Sequence, residues 1–153
     1  MRLTDKHADQ LLAWAAKRLG TDGWSPDSMA FGVVEDRDGL RPLVRAVIVI
    51  NCRFNDACRM HIATDGSRRW ATRDILIRLS AFIHYALKVN RVETIIAASN
   101  LPAQIAALKV GFQIEGRNRC GADDGTDGIV LSMLRDENPW LKGKGDEQGR
   151  TSG

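Results

Sequence analysis

The chain is poor in the residues that mark specialised sites. It has one tyrosine, three histidines and three cysteines in 153 residues. No two of Cys52, Cys58 and Cys120 form a C-x-x-C pair, so a zinc knuckle or a dithiol redox motif is excluded. His7, His61 and His84 stand at no metal-like spacing from Asp, Glu or Cys, and no metal is expected. An odd thiol count, with no apolar leader in M-R-L-T-D-K-H, predicts a cytoplasmic protein whose cysteines are reduced and packed as small core hydrophobes. Apolar runs are too short for a membrane span, so no membrane partner is expected. Charge is nearly balanced, 22 − 19 = +3 with a pI near 9.0. That excludes a nucleic-acid-type basic tail and suits either a bland surface or a site for a polyanionic ligand.

What is present supports one domain. Hydrophobic residues make up 44% of the chain and include four tryptophans, enough for a core. The domain is expected over 1–141, with 142–153, Gly-rich and charged, as a flexible tail. Leu11, Leu12, Ala15 and Leu19 recur at helical spacing and predict a helix over 4–19, capped by Thr4 or Asp5 and stopped by Gly20. Strands are predicted over 29–35, 43–51 and 59–64, with turns at Asp38-Gly39 and Asn55-Asp56. A long helix is predicted over 70–89, from the stripe Ile75, Leu76, Leu79, Phe82, Ile83, Ala86 and Leu87. The apolar run over 92–98 reads as a strand buried on both faces. A short helix over 102–110 and a hairpin of 112–119 with 128–135 complete the order. A meander followed by β-α-β-α-β gives a mixed α/β sheet with helices on both faces.

The most specific segment is N-L-P-A-Q-I-A-A-L-K-V-G-F-Q-I-E-G-R-N-R, 100–119. Asn100 can cap the short helix, Pro102 suits its first turn, and Gly111 can end it. Asn100, Ala103, Gly111, Phe112, Glu115, Gly116 and Arg119 match the pattern N-x-x-S/A … G-F-x-x-E-G-x-x-R. The stretch resembles the last crossover of the GCN5-related N-acetyltransferase (GNAT) superfamily, in the branch that acetylates ribosomal-protein N-termini. Pro139-Trp140-Leu141 resembles that branch's closing P-W-L, with Trp140 packing back on the sheet. The resemblance covers about 30–141, and the chain is also similar to small phage-type members. It implies a GNAT-like, mostly antiparallel sheet whose two parallel central strands splay apart at the cofactor site. It implies acetyl-CoA as co-substrate, held by the backbone of Ile62, Ala63 and Thr64 and by a phosphate turn from Ser67 through Arg68, Arg69, Trp70, Ala71 and Thr72 to Arg73. Where the family has two glycines, this chain has Ser67 and Arg69. A backbone approach to phosphate is thereby replaced by an arginine side chain.

Local physics adds independent weight. Arg68, Arg69 and Arg73, read as the first turn of the long helix, oppose the helix dipole unless an anion binds there. Amide formation needs an amine that loses a proton and a group that protonates the leaving thiolate. A tyrosine serves as that acid in many relatives, but the matching position here is Ala107. Asn100 is the transferred contact, to the cofactor arm or an ordered water, and counts with the catalytic candidates. His61 and Glu35 are the candidate bases, His61 because an imidazole is the side chain type that changes charge near neutrality, with Glu115 behind them as a third candidate that more often has a fold role in this pattern. Asp123, Asp124 and Asp127 form either an acidic lip for a cationic amine or a plain Asp-Gly turn. The reading is an N-acetyltransferase acting on a primary amine of a protein N-terminus, a small amine or a modified base, as monomer or homodimer. Two other readings stay open. One is a GNAT-like protein that modifies or binds nucleic acid with a different donor. The other is a non-catalytic interaction module.

Overall fold

The run Val44–Ile50 explains the centre of the molecule. Its β-branched residues form the middle of a long strand, and Ala46, Val47, Ile48, Val49 and Ile50 are fully buried. A strand with no exposed face needs a helix on either side. The computed structural model describes residues 1–141; the tail expected from Lys142 lies outside the described residues. In chain order the elements are β1 (Arg2–Thr4), α1 (Ala8–Leu19), β2 (Met29–Arg37), β3 (Leu40–Phe54), β4 (Ala57–Thr64) and α2 (Arg73–Ala81). A π-helical turn (Phe82–Ala86) follows, then β5 (Arg91–Ala97), α3 (Leu101–Val110), β6 (Gln113–Asn118), β7 (Gly128–Leu134) and a 3-10 turn (Arg135–Glu137).

The seven strands form one sheet in the order β1-β2-β3-β4-β5-β7-β6. Every pairing is antiparallel except β4 with β5. On one face Leu11 and Ala15 of α1 pack on Ala30, Val47, Val49 and Ala63. On the other, Ile75, Leu79 and Ile83 pack on Val33, Ala46, Ile48 and Ile50, joined by Phe112, Leu131 and Met133. Ala107 and Val110 of α3 rest against this second cluster. Trp140 folds back onto the end of α3, its Nε1–H donating to the Val110 carbonyl at 2.9 Å.

Four expectations need correction. The N-terminal helix does not start at Thr4: residues 2–4 add an edge strand to β2, and α1 begins after His7, whose left-handed φ of 61° supplies the turn without a side-chain cap. The long helix over 70–89 is shorter. Thr72, in an extended conformation, accepts from the Ile75 amide at 3.3 Å and sets the start at Arg73, while the π turn closes the far end. Residues 68–72 are therefore loop, and only Arg73 occupies the first helical turn. Phe112 does not open a strand; it is buried in the core immediately before β6. Of the cysteines only Cys58 is a core residue, Cys52 and Cys120 being exposed. Both exposed cysteines sit at left-handed φ, 51° and 53°, Cys52 at the irregular end of β3 and Cys120 in the turn after β6.

Candidate active site

The two parallel strands part company almost at once. β4 and β5 pair only at Ala57–Arg91, Cys58–Val92 and Arg59–Glu93. Beyond that point β4 stays bonded to β3 as far as Thr64, and β5 stays bonded to β7 as far as Ala97. Met60–Thr64 and Thr94–Ala97 thus present facing edges with no strand between them. Buried backbone donors and acceptors need partners, and an extended ligand can supply them as an added strand would. The gap opens into a cleft of about 940 Å³, within the size range of small-molecule sites. Thr94 and Ile96 line it from one face of β5, and Ile95 and Ala97 from the other. The cleft therefore passes through the sheet.

At one end lies the loop before α2. Much of its backbone is already committed. The Gly66 amide donates to Thr64 Oγ1, Ser67 to Asp65 Oδ1, Arg69 to Ser67 Oγ, Ala71 to the Arg68 carbonyl and Thr72 to the Trp70 carbonyl. The amides of Arg68, Trp70, Arg73 and Asp74 have no such acceptor among the described residues. An anion fits here on two counts: unpaired amides at a helix start, and the Arg68 side chain on the cleft wall. Ser67, Arg68, Trp70 and Ala71 line the cleft, whereas Arg69, Thr72 and Arg73 do not. Trp70, half-buried, packs against the main core and also borders the cleft. Arg78 pairs with Asp74 at 3.0 Å on the exposed face of α2.

At the other end stands His61, on the α1 face of β4. Its Nδ1 lies 3.0 Å from Asp123 Oδ2 and its Nε2 lies 2.9 Å from Asn51 Oδ1. Trp24 meets the ring edge-on, with centroids 5.1 Å apart. His61, Asp123 and Asp124 all line the cleft. Of the three hairpin aspartates, Asp127 is spent on Arg117 and the Cys120 amide, and Asp124 on Thr126. Asp123 alone reaches across to β4.

Glu35, the other candidate base, is not brought to the cleft. It accepts from Arg45 Nε and Nη2 at 2.8 and 2.6 Å, and Arg45 also grips Asp65 at 2.8 Å. The Arg45 guanidinium holds both carboxyls below their ordinary range, so neither is suited to collect a proton near neutrality. Asn100 lines the cleft, yet its Oδ1 is engaged as the α3 cap, accepting from Ala103 N at 3.2 Å. Glu115 has the fold role expected of it, bound to Arg91 and Ser132. Tyr85 is exposed on the π turn and does not line the cleft. Burial pushes the Cys58 thiol up to about 11, which removes it as a nucleophile at neutral pH. Among the described residues no three His, Cys, Asp or Glu side chains gather as a metal site, and no helix is long and apolar enough to cross a membrane.

Two contributors escaped the sequence reading. Arg18, at the end of α1, stacks over Trp14 and donates to the Thr64 carbonyl at 3.2 Å, placing a second arginine on the cleft wall. Asn51 meets His61 from β3. Neither belongs to a motif; the only available signal was strand alternation, which puts Asn51 and His61 on one face.

No family model and no curated protein sequence matches the chain. Solved structures do. The fold is similar to that of a spermidine N-acetyltransferase chimera from Vibrio cholerae SpeG and hSSAT (TM-score 0.69, 13% identity, 92% of this chain and 98% of that one). It is similar to the ribosomal-protein-S18-alanine N-acetyltransferase of Escherichia coli (TM-score 0.61, 19% identity, 87% and 92%). It is also similar to the ribosomal-protein-S5-alanine acetyltransferase of Vibrio fischeri (TM-score 0.59, 16% identity, 72% and 63%).

Proposed function

The fold is that of the GCN5-related N-acetyltransferases, and we propose that the protein is one: an enzyme that moves an acetyl group from acetyl-CoA to a primary amine. One observation carries the reading, the separation of β4 from β5 after three residue pairs, which leaves a strand-shaped vacancy through the sheet. The facing backbones of Ile62–Thr64 and Ile95–Ala97 would hold the pantetheine arm. Arg68, the free amides at the start of α2 and Arg18 would hold the phosphates, with Arg69 and Arg73 supporting them from outside the cleft. Asn100 would meet the arm at the start of α3.

The thioester supplies the acyl carbon; the chain supplies placement. The amine enters on the α1 face beside Asp123 and Asp124, whose negative charge suits a cation. Having lost a proton, the amine nitrogen attacks the thioester carbonyl. The C–N bond forms, the C–S bond breaks, and one of the two protons left on the nitrogen passes to the departing thiolate while the other stays on the amide. Neither candidate base is placed to take the amine's proton: both ring nitrogens of His61 are bonded within the protein, and Glu35 is locked by Arg45. With Cys58 buried and protonated, attack is direct. The acceptor classes that fit are a small amine, a protein N-terminus or a modified base, and the free thiols suit the cytoplasm. The nucleic-acid reading loses support because the fold's neighbours are named as acetyltransferases of amines.

Calorimetric titration with acetyl-CoA tests the reading. Saturable binding that an Arg68→Glu change weakens would support it. Absence of heat at millimolar ligand would overturn it.

A further inference from the structure

The cleft continues past the level at which the strands close. Val92 lines it, yet Val92 is paired with Cys58, so no backbone edge is open to an extended ligand there. This deeper chamber lies on the face of the sheet that carries α2 and α3. The α2 segment presents Leu76, Ser80 and His84 to it at helical spacing, and α3 presents Ala103, Ala107 and Val110. Ser80, His84 and Asn138 line the cleft although they are only 9%, 2% and 2% exposed. His84 Nδ1 lies 2.8 Å from the Val89 carbonyl. A carbonyl only accepts, so Nδ1 carries the proton and Nε2 keeps its lone pair. The Asn138 side-chain oxygen accepts from the Trp140 amide at 2.9 Å, which leaves the NH2 end over. Ser80 Oγ, His84 Nε2 and the Asn138 NH2 have no partner among the described residues, and they are not among the sealed orphan atoms, which are Thr21 Oγ1 and Arg135 Nε. They therefore open on the cleft. Ser80 and His84 are one helical turn apart. Asn138 is brought to them by the 3-10 turn, whose Arg135 amide donates to the Asn90 carbonyl beside Val89 and whose Arg135 carbonyl accepts from the Asn138 amide. His84 stands on the π turn, a form concentrated at functional sites.

Buried polar groups need partners, and these three define the one they want. His84 Nε2 needs a donor, the Asn138 NH2 needs an acceptor, and Ser80 serves in either role. A hydroxyl answers all of them at once. A carboxylate, which only accepts, would meet the His84 lone pair, and a methyl group would leave every one unpaired. We propose that the chamber holds the acyl chain of the donor, and that the enzyme takes acyl-CoA thioesters whose chain is longer than acetyl and ends in a hydroxyl. The inference rests on the acyl-transfer reading and deepens it by naming a donor class. With the thioester carbon in the gap between β4 and β5, the amine reaches it from the α1 face and the chain runs off on the opposite face. Ser80 and His84 are ~6 Å apart along their helix, a length that about four carbons span. Ala103 and Ala107 leave the width for it. The transfer is balanced as for acetyl: the C–N bond forms, the C–S bond breaks, a proton passes from nitrogen to the thiolate, and the terminal hydroxyl is unchanged.

Isothermal titration of the full-length protein with acetyl-CoA, butyryl-CoA, succinyl-CoA and 4-hydroxybutyryl-CoA tests this. The 4-hydroxybutyryl thioester should bind at least ~5-fold more tightly than the butyryl one, for the neutral hydrogen bonds its end group gains, and more tightly than acetyl-CoA. Succinyl-CoA, with an acceptor-only end, should bind more weakly than butyryl-CoA. His84→Phe removes the buried acceptor and should bring the 4-hydroxybutyryl and butyryl affinities toward parity. Ser80→Ala, a milder change that carries the test should His84→Phe fail to fold, should shrink the same ratio. Equal affinity for the two four-carbon thioesters in the wild type, or an unchanged ratio in a folded variant, would overturn the proposal. Binding of acetyl-CoA with exclusion of every longer chain would overturn it too, and would leave the acetyl-transfer reading standing. Failure of all four thioesters to bind would overturn both.

Discussion

Arg91 on β5 grips Glu115 on β6 with two parallel hydrogen bonds, of 2.6 and 2.8 Å, across the intervening β7, whose Ser132 hydroxyl donates to the same carboxylate. The pair fastens the outer hairpin to the strand that borders the cleft. Hydrogen bonds from Arg91 first and Ser132 second pull the Glu115 carboxyl down to about 2. A carboxylate with a folded pKa below its unfolded one stabilises the fold above the ordinary value of 4.5, and that contribution is lost as pH falls toward 2. Glu115 is 41% exposed in its side chain, so solvent screening limits the pair to ~1 kcal/mol. Glu115→Gln should lower Tm at neutral pH by roughly 2–4 °C, with a shrinking difference from wild type as the acid limb is entered. Thermal melts by circular dichroism at a series of pH values check this.

His84 predicts a separate acid sensitivity. It is buried at the end of the α2 segment, and burial holds its pKa below the ordinary 6.5, with the Val89 contact opposing in part. The unfolded chain then binds a proton that the folded chain resists. Stability is full above 6.5 and falls as pH drops below that value. Denaturant midpoints should therefore begin to decline between neutrality and the carboxylate range. His84→Gln, though less stable at pH 7, should show a flatter profile in that window; an identical slope in both proteins would contradict the assignment.

The phosphate loop gives a graded prediction. Arg68 lines the cleft and Arg69 does not. A charge-assisted bond to phosphate is worth roughly 1.5–3 kcal/mol, or about 10–100-fold in affinity. Arg68→Glu should weaken acetyl-CoA binding by at least that factor. Arg69→Glu should weaken it less, through longer-range charge, and its effect should fade with added salt. Isothermal titration at two salt concentrations separates them.

Gly128 opens β7 at the cleft end of the sheet, opposite Ala97. A Cβ there would collide with Ile95 Cγ2 and crowd the Ala122 amide at 3.1 Å. Gly128→Ala should destabilise the protein by ~1–3 kcal/mol, and it should disturb ligand binding too, because Ile95 and Ala122 both line the cleft. A variant with wild-type Tm and wild-type affinity would show that the strand moves aside freely.

How much of this was legible beforehand follows the physics of each signal. Val44–Ile50 announced a central strand because β-branched residues without polar alternation suit little else. Asn100, Pro102 and Gly111 marked α3 to within a residue because capping is local chemistry. Residues 2–4 were not readable as a strand: three residues carry no periodicity, and their pairing with β2 is a long-range event. Trp70 and Ala71 were assigned to a helix that Thr72 excludes, since an apolar stripe does not say where a cap intervenes. The His61–Asp123–Asn51 constellation was least legible. His61 stood out by type, but its partners are 62 and 10 residues away, on a loop and on a neighbouring strand, and register alone brings them together. Glu35 misled for the same reason, its partner Arg45 being invisible until β2 and β3 are paired.

Asn100 offers the sharpest separation of architecture from chemistry. Its side-chain oxygen caps α3 by accepting from Ala103 N at 3.2 Å, which leaves its amide N–H free to meet a cofactor arm in the cleft. Asn100→Asp keeps the capping acceptor and removes the donor. Asn100→Ala removes both. Loss of the cap costs ~1 kcal/mol, so Asn100→Ala should melt several degrees lower while Asn100→Asp stays close to wild type. If Asn100 also contacts the bound thioester arm, the two variants should lose acetyl-CoA affinity to a similar degree, by about 5–10-fold for one neutral hydrogen bond, despite their different stabilities. Wild-type affinity in Asn100→Asp would confine Asn100 to the cap and remove it from the binding site.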